Sequence, residues 1–133
     1  MTKEDYVSYK VAKLLKEKGF DGDCGYCECH MFYHEMTDRI MPIMEIGMIP
    51  DYDTVYFAPT QQMAMKWLRE VHGLHISLES CYDYDSMHVE FLAFVQNVAD
   101  VHEFMDGRKN VASHYNAEKS CEAAIKYCLE NLI

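Results

Sequence analysis

Three stretches of this chain repeat apolar side chains at helical spacing, each stripe only one face wide, and that pattern limits the folds open to it. The first is Val11, Leu14 and Leu15, with Ser8 placed as N-cap and Gly19 ending it after Lys16 and Lys18. Val7 and Ala12 stand at the spacing of a hydrophobic staple around that cap. In the second, Pro59 and the N-cap Thr60 precede Met63, Ala64, Trp67, Leu68 and Val71, and Gly73 is the stop. Trp67 is read as a core anchor. The third begins at about Asn116 and carries Cys121, Ala124, Ile125, Cys128, Leu129 and Leu132. Helices are therefore expected at about 8–18, 61–72 and 117–131. A helix with one apolar face has to lay it on a second layer.

The segments between the stripes supply that layer as strands. From Cys27 to Glu35 the odd positions are mostly apolar and the even ones polar, with Phe32 breaking the alternation. Thr54 to Ala58, Leu74 to Cys81 and Met87 to Val98 read as further strands, although Val89, Leu92, Ala93 and Gln96 also suit a helix. Asp106-Gly107 suggests a hairpin joining Val101–Met105 to Asn110–Tyr115. Thr37 to Asp53, with Pro42, Gly47 and Pro50, reads as a methionine-rich loop over a pocket or an interface. Strands adjacent without helical crossovers imply antiparallel pairing, so the expectation is an α+β fold with three helices on one sheet. At 133 residues the chain is the size of one domain, 1–133, with enough apolar content for its own core.

Twelve basic residues against 22 acidic ones, a formal net charge of -10, argue against nucleic-acid binding, which needs clustered Lys and Arg. Five of the twelve, Lys3, Lys10, Lys13, Lys16 and Lys18, lie in the first nineteen residues and alternate with acids, as the solvent face of a helix does. No apolar run reaches membrane-spanning length and the amino-terminal residues lack a signal-peptide pattern, so a cytoplasmic protein with no membrane partner is expected. Six cysteines without an export signal default to thiols, and Cys121 and Cys128 fit as small buried hydrophobes.

Residues 6–20, 58–70 and 121–130 resemble a group of small uncharacterised proteins from gut Bacteroidales genomes and their phages or mobile elements. The resemblance rests on Ala12-Lys13-Leu14-Leu15-Lys16-Glu17-Lys18-Gly19-Phe20, on Ala58-Pro59-Thr60-Gln61 with Trp67-Leu68-Arg69-Glu70, and on Cys121-Glu122-Ala123-Ala124-Ile125. It implies a bacterial setting and a phage-encoded accessory role. That group has no established activity, so it implies no site residues.

The densest candidate chemistry is Cys24, Cys27, Cys29, His30 and His34, soft ligands enough for one zinc ion. On a strand, however, the cysteines face one way and the histidines the other, which leaves Glu28, His30 and His34 as a solvent-side metal set. No cofactor is otherwise expected. His72 stands in the last turn of the second helix, where an imidazolium would suit the helix dipole. Cys81 to Ser86, with Asp83 and Asp85, reads as a polar turn more simply than as a cation site. His88, His102 and His114 have no register that the sequence fixes.

Phosphate loops, nucleophile elbows and H-E-x-x-H are absent from the sequence, which points away from an enzyme. Ten methionines and ten tyrosines point to interaction instead, because both side chains adapt to a partner surface. Met41, Met44, Met48 and Tyr52 are the candidates, with a protein partner or a second copy as occupant. The reading is a non-catalytic interaction protein; its alternative is a metal-binding or ligand-sequestering protein using residues 24–34 or a pocket under 37–53.

Overall fold

A computed structural model of the chain describes residues 6–20, 31–34, 40–42, 55–100 and 107–133. The order is α1 (Tyr9–Glu17), β1 (Met31–His34), β2 (Ile40–Pro42), β3 (Val55–Phe57), α2 (Gln61–His72), β4 (Leu74–Asp83), β5 (His88–Asn97), β6 (Lys109–His114) and α3 (Ala117–Asn131). The class is α+β and every strand pair among the described residues is antiparallel. The strands form two sheets, β2-β1-β3 and β4-β5-β6, where the sequence suggested one. Contacts group the chain into two compact units, Met1–Ala64 and Met65–Ile133.

In the first unit, α1 starts where Ser8 Oγ accepts the Val11 N–H at 3.2 Å, with Val7 and Ala12 both buried beside the cap. It stops at Gly19, whose φ of +95° admits the two reverse bonds Gly19 N–H to Lys16 and Phe20 N–H to Leu15. Lys16 Nζ donates to the Val55 carbonyl at 3.0 Å and lies over the Tyr56 ring, tying α1 to β3.

Strand β1 is the middle of its sheet, which explains Phe32. Phe32 and Tyr33 point to opposite faces and both are buried, so no polar face exists there. Phe32 stands opposite Phe57, and Tyr33 donates its hydroxyl to the Val7 carbonyl at 2.7 Å while Tyr9 meets its ring edge-on. Ile40–Pro42, placed within the loop by the sequence reading, is strand β2 on the other edge of β1. Residues 27–30 and the rest of 37–53 lie outside the described residues.

Helix α2 carries the boundary between the units. Thr60 Oγ1 accepts the Met63 N–H at 3.2 Å, and Ala64, Trp67 and Leu68 are buried. Val71 is 60% exposed and drops off the stripe. Gly73 ends the helix with φ +67°, and any side chain there would meet Ala99 Cβ at 2.5 Å, so only glycine fits.

The second unit is a long hairpin with a helix on it. Strands β4 and β5 pair over ten residues each, from Leu74 opposite Asn97 to Asp83 opposite His88. Leu74, Ile76, Ala93 and Val95 are buried on the face toward α3, whose own buried stripe is Cys121, Ala124, Ile125, Cys128 and Leu129. Leu132, expected on that stripe, is exposed. Asn116 caps α3 by accepting the Lys119 N–H, and the buried Ser120 hydroxyl donates to the Phe91 carbonyl at 2.9 Å. Burial, aided at Cys121 by Glu122 and Glu118, pushes the Cys121 and Cys128 thiols up to about 12, as inert core residues require.

Strand β6 pairs with β5, and the register slips between Ala93–Ala112 and Phe94–Asn110, leaving Val111 as the extra residue of a bulge. Residues 101–105, the other expected partner of this strand, lie outside the described residues. No helix among the described residues is long and apolar enough to cross a membrane.

Candidate functional site

Glu28, His30, Met44, Met48 and Tyr52 lie outside the described residues. His34 stands opposite Val55 on β1, and Met41 opposite Phe32 on β2, with only their backbone placement described. Among the described residues no three His, Cys, Asp or Glu side chains gather as a metal site would need.

His72 differs from its helix-capping role. Its Nε2 is buried with no hydrogen-bond partner and its ring meets Trp67 edge-on at 4.8 Å. Burial pushes its pKa down, which favours the neutral ring. His114 Nδ1 accepts the Asn116 N–H and the His88 ring lies against Tyr115, while His102 lies outside the described residues.

The polar turn is where the sequence placed it. Asp83 accepts from the Ser86 hydroxyl at 2.9 Å and the Asp85 N–H at 3.0 Å, and these bonds hold its carboxyl below the usual range. Both oxygens are thereby engaged within the turn, which is how a β4–β5 connection of four residues is held. Met87 closes it with φ +60°, a left-handed conformation that glycine or asparagine adopts more cheaply.

Around this turn lies the feature the sequence reading missed. Along β4 and β5 the face that carries Ile76 and Val95 continues outward as Leu78, Tyr82 and Val89, all exposed. Tyr84, 84% exposed, stacks edge-on with Tyr82 at 4.8 Å; Met87 is 73% exposed and Tyr115 55%. The outer half of the ribbon is thus a strip of large, exposed apolar side chains with no covering layer among the described residues. A visible signal was in the sequence: a turn that is merely polar has no use for two tyrosines and a methionine in six residues.

A cavity of about 530 Å³ opens on the same unit between β5, β6 and the end of α3, lined by Leu74, Val95, Val111, Tyr127 and Leu132 with Arg108 and Lys109. Its cations are already engaged. Arg108 pairs with Glu79 and lies on the Phe94 ring, and Lys109 Nζ donates to the Tyr127 hydroxyl at 2.9 Å. The strip, by contrast, offers surface that no described element covers. Neither a family model, nor a curated protein, nor a solved structure matches this chain.

Proposed function

We propose that this is a non-catalytic interaction protein and that its contact surface is the outer half of the β4–β5 ribbon together with Tyr115. The carrying observation is the exposure of Leu78, Tyr82 and Val89 on one face of the outer ribbon and of Tyr84 and Met87 in its turn. Tyr and Met suit this use because they offer large area and adapt to a partner's shape. The strained Met87 supports the same reading, since an apolar side chain stands where a glycine would cost less. In the setting that the helix segments suggest, the partner is a host component and the protein an accessory of a phage or mobile element.

The test is photo-crosslinking in a Bacteroidales extract, with a photoreactive phenylalanine in place of Tyr84 and, as control, in place of the exposed Ala123 of α3. Discrete adducts from position 84 that position 123 does not give support the reading. The same adducts from both positions, or none from position 84, would remove the outer ribbon as a contact surface.

A further inference from the structure

Among the described strands β4 is an edge of the β4-β5-β6 sheet, and the direction of its outward backbone groups follows from one bond. The Val98 N–H donates to the Gly73 carbonyl at 2.7 Å, one step beyond the Leu74–Asn97 pair, so Gly73 and Val98 stand at a hydrogen-bonded position of the ladder, while the Gly73 N–H still closes α2 on Arg69. Such pairs alternate along an antiparallel ladder. His75, Ser77, Glu79, Cys81 and Asp83 therefore spend their backbone groups on β5. Leu78, Ser80 and Tyr82 send theirs outward, and every residue from Leu78 to Tyr82 is exposed.

Natural edges carry a guard: lysine, proline, a bulge or a covering segment. Leu78 to Tyr82 has none of the first three, and no described strand lies beside it. Its single charge, Glu79, points to the opposite face and is paired with Arg108.

We infer that two copies of this chain pair antiparallel along β4, about a two-fold axis at Ser80. This rests on the contact surface proposed above and assigns its β4 edge, as distinct from the Tyr84 end left to the host partner, to a second copy. The charge pattern selects the register. Centred on Glu79, the pairing sets the two Glu79 carboxylates opposite each other; centred on Cys81, it sets Glu79 opposite Asp83 twice. Like charges directly opposite destabilise a strand pair. Centred on Leu78, it sets Tyr82 against Leu74, which is already buried. Centred on Ser80, Leu78 meets Tyr82 on both sides of the axis, Glu79 meets Cys81, and no carboxylates face each other.

The test is sedimentation of the full chain with two variants and a crosslink. The wild type is expected to sediment as a dimer. Ser80→Pro removes only an outward N–H and is expected to sediment as a monomer with an unchanged melting profile. Should that variant misfold, Leu78→Lys with Tyr82→Lys guards the same edge from the side chains and is expected to give the monomer. Under mild oxidant Cys81→Ser with Ser80→Cys should form an intermolecular disulfide, because residues on the axis stand about 5.5 Å apart. The wild-type Cys81 pair, a diagonal of about 7 to 8 Å, should not.

A wild-type monomer, or a dimer that survives both edge variants, overturns the pairing. Rapid crosslinking through wild-type Cys81 overturns the register. Failure of the contact-surface reading shows differently: a self-pairing dimer whose position 84 yields no adduct with any other protein.

Discussion

The two halves of the β4–β5 ribbon share one register and one pair of strands, and differ in what lies over them. On the inner half Leu74, Ile76, Ala93 and Val95 are closed under α3; on the outer half Leu78, Tyr82 and Val89 continue the same face into solvent. Strand patterning alone does not separate the halves, because both alternate correctly. What separates them is cover on β4, the edge strand: Ala93 of β5 is buried while Leu78, directly opposite it on β4, is exposed. Leu78, Tyr82 and Val89 keep part of their apolar surface in water, and Tyr84 and Met87 most of it, which is surface that a partner can still bury.

The largest expected effect lies on the inner half. Ile76→Ala removes a fully covered side chain and should cost about 2 to 5 kcal/mol in denaturant unfolding; a loss below about 1 kcal/mol would mean the inner half is not core. Met87→Gly on the outer half runs the other way. It relieves the left-handed strain and should raise stability by about 0.5 to 1 kcal/mol while weakening contacts made by the strip; a loss of stability would show Met87 packing on its own chain. Val89→Thr, at an exposed strand position, should leave unfolding within about 0.5 kcal/mol.

Last comes a difference of slope between the ribbon's ends. His72, beside the inner end, has its pKa lowered from 6.5 by burial, so its contribution to stability is full above that value and is lost as pH falls through the folded pKa. Thermal melts from pH 7 to 5 should therefore fall less steeply for His72→Phe, which keeps a ring against Trp67. Asp83, at the outer end, is lowered from 3.8 by the Ser86 hydroxyl first and then the Asp85 N–H, so its share is lost only below that range. Equal slopes for wild type and His72→Phe would show that the imidazole titrates as it does in the unfolded chain.

Much of the scaffold was legible because it is written locally. Ser8, Thr60 and Asn116 cap the three helices and Gly19 and Gly73 stop two of them, each through bonds within a few residues. What needed coordinates is nonlocal. Phe32 looked like an error in an alternating strand until β1 proved central, and Val71 looked like core until α2 turned it outward. The split into two sheets, and the strand at Ile40–Pro42, depend on which strands find each other. The exposed strip was hidden for the same reason, since no local rule says where the covering layer ends. His72 does stand in the last turn of α2, but the burial that favours its neutral ring is not a local property.

The two edges of the β4-β5-β6 sheet are unequal, and that sets how far association can go. The far edge, β6, is short, kinked by the Val111 bulge, and begins at Lys109 next to Arg108. A bulged, cationic edge is a poor template for another strand. A sheet that can grow on both sides propagates into a fibre, but one that can grow on a single side is spent once two copies have met. The bulge in β6 thus acts as a chain terminator for an assembly in which it takes no part. Straightening it by deleting Val111 would change stoichiometry more than affinity, trading a closed pair for open-ended stacking.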